Sequence, residues 1–135
     1  MALIDWTDSM SVGVQLMDDH HKKLFDMFNR LHEAMKAGRG DVVIGNIMVE
    51  LLEYTRYHFG EEEQMLQRIG YTQMEMHKGL HRKFISDLEG YDADVKKGMA
   101  VFAATQLLNS SVAWFRDHVM TIDKGYTELA KQHGV

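Results

Sequence analysis

The chain has 135 residues, 45% of them hydrophobic and 26% charged, with a formal net charge of -5. Those values suit one globular domain over residues 1–135 with a buried core, and the acidic balance argues against nucleic acid, whose phosphates need a basic surface. Cysteine is absent, which excludes disulfides, thiolate catalysis and cysteine-ligated zinc or iron–sulfur sites.

Proline is absent too, so long uninterrupted helices are allowed throughout. The first seventeen residues read as an extended arm carrying Trp6. Their opening MALIDWTDSM lacks the basic segment and apolar run of a signal peptide, and no later stretch approaches the roughly 20 apolar residues of a membrane span. The cytoplasm is therefore the expected compartment, without membrane insertion. A first helix is expected from about Asp18 to Lys36, with Leu24, Phe25, Phe28, Leu31 and Met35 on one face, ending in AGRGD. Its opening DDHHKKLF offers His20 and His21. Adjacent helical positions differ by about 100°, so both are not expected to face inward, and periodicity alone does not choose between them.

The second helix is expected from about Asp41 to Gln67, with Ile44, Ile47, Met48 and Leu51 on a stripe that continues through Thr55, His58 and Glu62. A side chain four positions on lies about 40° around the helix and about 6 Å along it. His58 and Glu62 therefore project together. Glu61 and Glu63 lie about 100° to either side of Glu62, so two of the three consecutive glutamates are expected in solvent and one in the core. The third helix is expected to start near Thr72 and to reach Gly90 or beyond. Thr72 and Glu75 form the T-x-x-E pattern of a capping box. Met74, His77, His81, Phe84 and Leu88 share a face, with His77 and His81 again four apart.

A fourth helix is expected over about Ala100 to Thr121, aligning Ala104, Leu107, Leu108, Ser111, Phe115 and His118. Asp123 is five residues beyond His118, which an ideal α-helix turns about 140° away. For Asp123 to reach the same point, the helix must end there or widen into a π-type turn, a feature frequent at functional sites. A short last helix over about Lys124 to Gln132 follows. No segment alternates as a strand. Four amphipathic helices with short connections imply an all-α, antiparallel up-down four-helix bundle with an N-terminal arm and a short C-terminal helix.

Each polar position has an ordinary reading. A histidine on an apolar face is more often a hydrogen-bonded core residue than a ligand, and a glutamate run is more often a solvated helix face. Methionines fill cores, and Trp6 and Trp114 read as packing. Convergence changes the balance. All four helices bring histidine, and two also bring a carboxylate, to inward positions at one level of the bundle. An unpaired buried carboxylate is costly unless it is neutralised or holds a metal. This set suits two borderline first-row metals with nitrogen and oxygen donors. His32 and His133 fall outside it and read as surface residues.

At this point the chain resembles the hemerythrin family, in its single-domain bacterial form. The resemblance rests on WTDSMSVGVQLMDDHH, YTRYHFGEEEQM, HKGLH and WFRDHVMTIDKGY, which together give H…HxxxE…HxxxH…HxxxxD in order. The family pattern has aspartate three residues before its first ligand, so through the resemblance Asp18 selects His21. It implies two iron ions. His77, His81 and His118 would hold one, and His21 and His58 the other, with Glu62, Asp123 and an oxo or hydroxo group as bridges. The implied activity is reversible dioxygen binding at the two-histidine iron, with transport, storage or delivery to an oxygen-using enzyme as its use. The implied protein is an oxygen binder rather than an enzyme, and a monomer. Candidates for the apolar wall of the oxygen pocket are Phe25, Phe59, Trp114, Phe115 and Ile122. Competing readings are an oxygen or redox sensor, and a di-iron oxidase or peroxidase on the same site. Ferritin-like oxidases use Glu-x-x-His pairs, and none occurs here. Two positions depart from the family pattern. Tyr71-Thr72 stands where Tyr-Pro is common, and Phe115 stands where leucine is common, adding bulk that is expected to restrict dioxygen entry or slow its escape.

Overall fold

The computed structural model describes residues 3–38 and 41–135. It is an antiparallel up-down bundle of four long helices with no strand among the described residues. The helices α1 (Gln15–Lys36), α2 (Asp41–Arg68) and α3 (Met74–Lys96) follow in order. The fourth is wound in four segments. They are an α-helix Ala100–Gln106, a π-helical turn Leu107–Ser111, an α-helix Val112–Asp117 and a second π-helical turn His118–Ile122. A 3-10 turn Asp123–Tyr126 leads into the C-terminal helix Thr127–Gln132. None of the described helices is long and apolar enough to cross a membrane.

The apolar stripes close on one another as their 3.6-residue period requires. Leu24, Phe28 and Leu31 of α1, Ile44, Met48 and Leu51 of α2, Phe84 and Leu88 of α3, and Ala104, Leu107 and Phe115 of the fourth helix are all buried. Full burial of one such leucine or phenylalanine stabilises by roughly 1.5–3 kcal/mol. Gly38 turns the chain out of α1 at φ 64° and Gly70 turns it out of α2 at φ 71°, a region that glycine enters without a Cβ clash. The other residues of the first turn, 39 and 40, lie outside the described set.

Besides the C-terminal helix, which begins at Thr127 and not at about Lys124, three features differ from expectation. First, α1 starts at Gln15, a turn earlier than Asp18. Asp18 thus sits in its first turn, where its carboxylate accepts hydrogen bonds from the Val12 N–H (2.9 Å) and the Ser11 hydroxyl. That anion, at the positive end of the helix, ties down the arm, which buries Ile4, Met10, Val12 and Val14 and makes a 3-10 turn at Asp8–Met10. Second, α3 begins at Met74 with Gln73 as N-cap and no side-chain cap bond. The Thr72–Glu75 capping box does not form, because the helix entry falls one residue past Thr72. Third, the fourth helix contains a π turn over Leu107–Ser111 that periodicity did not reveal.

Both π turns carry a side-chain bond to the backbone. Ser110 Oγ donates to the Gln106 carbonyl at 2.7 Å, and Thr121 Oγ1 donates to the Asp117 carbonyl at 2.6 Å. Such a bond to the carbonyl four residues back also forms in the regular helices, at Thr55 and Thr105, so it does not by itself set the winding. In the second turn, the Asp123 N–H bonds the His118 carbonyl, a step of five residues.

Candidate metal centre

At the level of the second π turn, the four long helices bring His21, His58, Glu62, His77, His81, His118 and Asp123 into one buried cluster. His21 comes from α1, His58 and Glu62 from α2, and His77 and His81 from α3. His118 and Asp123 flank the π turn, whose wide winding brings them to the same side of the helix.

Every imidazole turns its Nε2 inward, and the two carboxylates divide the cluster. Glu62 Oε1 lies 2.9 Å from His77 Nε2 and 3.1 Å from His81 Nε2, while Oε2 faces His21 at 3.8 Å and His58 at 3.9 Å. Asp123 Oδ1 lies 3.0 Å from His77 Nε2 and 3.1 Å from His118 Nε2, while Oδ2 faces His21 Nε2 at 3.3 Å. Each carboxylate therefore presents one oxygen to a three-histidine side and one to a two-histidine side. Many of these contacts are close without being aligned as hydrogen bonds. Both Asp123 oxygens and the Nε2 atoms of His21, His58, His81 and His118 are buried and have no hydrogen-bond partner. Orphaned buried polar atoms are costly. Their convergence on shared points, as nitrogen and oxygen donors without thiolate, fits borderline first-row cations.

The electrostatics show how tightly these groups interact. Burial drives His58 down to about 3, against the opposing pull of Glu62. Burial also opposes charge on His77, yet the nearby Asp123 and Glu62 outweigh it and raise the ring to about 9. His81 is raised against its burial by Glu62 and Glu63. For Glu62, burial and the Asp123 charge push the carboxyl up, but the His77 and His81 contacts prevail and hold it below the usual carboxylate range. Burial likewise opposes ionisation of Asp123, and His118 overcomes it. Both carboxylates are therefore ionised and available as anionic donors.

Outer partners orient the rings. The His81 Nδ1–H donates to Glu63 Oε2 at 2.8 Å. His58 Nδ1 lies 2.9 Å from His20 Nδ1. The Tyr126 hydroxyl, fully buried, donates to Glu62 Oε2 at 2.9 Å, and burial pushes that phenol well above its ordinary value. None of these three roles was read from the sequence. His20 and His21 are both buried, contrary to expectation. The 100° between them directs His21 into the cluster and His20 into the seam with α2, beside Tyr54 and Tyr57. Glu63 is a quarter exposed and is tied to α3, so the glutamate run contributes a second residue to the site. His32 is half-buried, and exposed His133 bonds the Leu129 carbonyl through its ring.

The aromatic candidates fall on two sides. Phe115 is fully buried and edge-on to His21 at 5.7 Å, with Phe25 and Phe28 at 6.0 and 5.9 Å from its ring. Phe59 instead stacks on His81 at 3.7 Å, and Trp114 stacks on His118 at 4.6 Å. Those two rings buttress the three-histidine side. Ile122 is half-buried within the π turn.

Bundle and site together define a helical cation-binding protein with a histidine–carboxylate centre. The family model described as the hemerythrin HHE cation binding domain matches residues 12–130, and the chain belongs to the hemerythrin family. It is 30% identical to a bacteriohemerythrin of Pseudomonas aeruginosa over 97% of this chain and 84% of that protein. It is 32% identical to the bacteriohemerythrin of Clostridium acetobutylicum, covering 91% of this chain and 98% of the relative. A wild-type hemerythrin crystal structure matches with a TM-score of 0.84 at 29% identity, covering 95% of this chain and 98% of that one. Membership implies iron binding and an oxygen-binding protein, and the buried histidine–carboxylate cluster is a set that could hold the metal.

Proposed function

We propose that this chain binds dioxygen reversibly at two iron ions held in the buried cluster. His77, His81 and His118 would hold one ion, and His21 and His58 the other. Glu62 and Asp123 would be shared. The observation that carries this reading is the division of each carboxylate, one oxygen toward each histidine group. When bound, the ferrous pair would supply the coordination position for dioxygen and the electrons it draws on and returns.

The chain's own residues favour reversibility. Five neutral donors and two carboxylates place little anionic charge around the metals, which disfavours high oxidation states. Phe115 faces His21 on the two-histidine side and is backed by Phe25 and Phe28, rings that offer no proton. Their burial keeps bulk water, and the protons it would deliver, away from that side. Tyr126 shares its proton with Glu62 without releasing it, since its phenol is pushed far from neutrality. His20 and Glu63 hold His58 and His81 in place.

The test is anaerobic reduction of the iron-loaded protein, then stepwise dioxygen with visible absorption recorded, then argon. A charge-transfer band that rises with dioxygen and disappears on purging supports reversible binding. Immediate and irreversible conversion to the ferric protein would replace this reading with an oxidase, a peroxidase or a redox sensor.

A further inference from the structure

The two histidine groups of the centre differ in what stands behind them. His81 is backed by a carboxylate, Glu63, at 2.8 Å. His58 is backed by a second imidazole, His20, with the two Nδ1 atoms 2.9 Å apart and the rings edge to face at 84°. One of two facing ring nitrogens must carry the proton and the other must accept it. The direction of this bond decides whether His58 can bind a metal at all. If His20 donates, the proton of His58 sits on Nε2 and points into the cluster. If His58 donates, its Nε2 lone pair is free, and that atom is buried and unpartnered.

We infer that His20 is a positioning residue, whose Nδ1 accepts the His58 Nδ1 proton and so fixes His58 as an Nε2 metal donor. The inference rests on the proposed role of His58 as a ligand. The His20 ring is held for this role in the buried seam beside Tyr54 and Tyr57, edge to face with His58. The consequence is a built-in asymmetry. A carboxylate behind a ligand histidine draws its proton strongly and makes the ring a more basic donor. A neutral imidazole draws it less. His58 is thus the weaker electron donor of the two, on the side where Phe115 shields the cluster.

The test uses the full chain stripped of metal and titrated with Zn²⁺, a diamagnetic probe, against a competing chelator. Partners behind metal-bound histidines typically contribute roughly 10–100-fold in affinity. His20→Leu is expected to weaken one of two zinc sites by about that factor and leave the other unchanged. His20→Asn places an amide oxygen where Nδ1 stood and is expected to restore the weakened site. In the zinc-loaded wild type, ¹⁵N spectra of the histidine rings should show His58 protonated on Nδ1 and His20 protonated on Nε2. A proton on His20 Nδ1, or unchanged affinity at both sites in His20→Leu, overturns the inference while leaving the metal centre intact. A wild type that takes up no zinc, or uptake indifferent to His58→Ala, overturns the reading of the centre and this inference with it.

Discussion

Tyr126→Phe removes one oxygen from a fully buried ring and changes nothing else in shape, so it isolates a single hydrogen bond. That bond runs from the phenol to Glu62 Oε2 at 2.9 Å. Because the phenol is held well above its ordinary value, it remains a donor at neutral pH. A hydrogen bond to a charged group contributes roughly 1.5–3 kcal/mol, and a buried acceptor left unpaired bears its full desolvation penalty. Glu62 keeps its contacts with His77 and His81, and no cavity opens, so a loss of about 2 kcal/mol is expected. A chain of this length should then melt about 8 °C lower, taking about 4 °C per kcal/mol as intermediate between small and larger domains. Urea denaturation of wild type and variant at neutral pH, stripped of metal, measures it as a lower midpoint at unchanged slope. A loss below about 0.5 kcal/mol would refute the reasoning, since an unpaired buried carboxylate oxygen is not that cheap.

Phe115→Leu is expected to raise both association and dissociation rates of dioxygen in the iron-loaded protein, because the ring facing His21 shrinks; equal rates by stopped flow would remove Phe115 from the pocket. Glu62→Ala and Asp123→Ala should each lose the two-iron site, since either change leaves a pair of like-charged cations short of a shared anion, and metal analysis showing two irons per chain would contradict the assignment. Asp18→Ala removes the acceptor for the Val12 N–H and the Ser11 hydroxyl. It should cost about 2 kcal/mol and release the arm, seen as faster amide exchange at Val12; protection equal to wild type would mean that apolar packing alone holds the arm.

The inward residues of α2 and α3 were legible because a stripe of fixed period admits few alternatives: once Ile44, Met48 and Leu51 define the buried face, His58 and Glu62 follow. The geometry of His118 and Asp123 was legible only as a condition. Spacing required the helix to end there or to widen into a π turn, and which of the two occurs rests on backbone bonding, here the Asp123 N–H to the His118 carbonyl, that periodicity does not encode. The choice between His20 and His21 was not legible from period alone, because it depends on which helix packs along that seam. Glu63 and Tyr126 were missed for the same reason. Their partners lie on other elements, 18 and 64 residues away in sequence. The capping box failed by one residue, within the uncertainty with which any local pattern fixes a helix end.

The second π turn bears on how this protein could be changed. Deleting one residue between His118 and Asp123 would let that stretch wind as a regular α-helix, with better hydrogen bonds and a straighter axis. The pair would then be four apart instead of five, still on one face as His58 and Glu62 are, because four α-helical steps and five π-helical steps end at nearly the same angle; Tyr126 and the C-terminal helix would keep their register. A design procedure that rewards ideal backbone would choose that deletion. The π turn is thus the way this chain takes up one extra residue beside the centre without turning Asp123 or Tyr126 off its face.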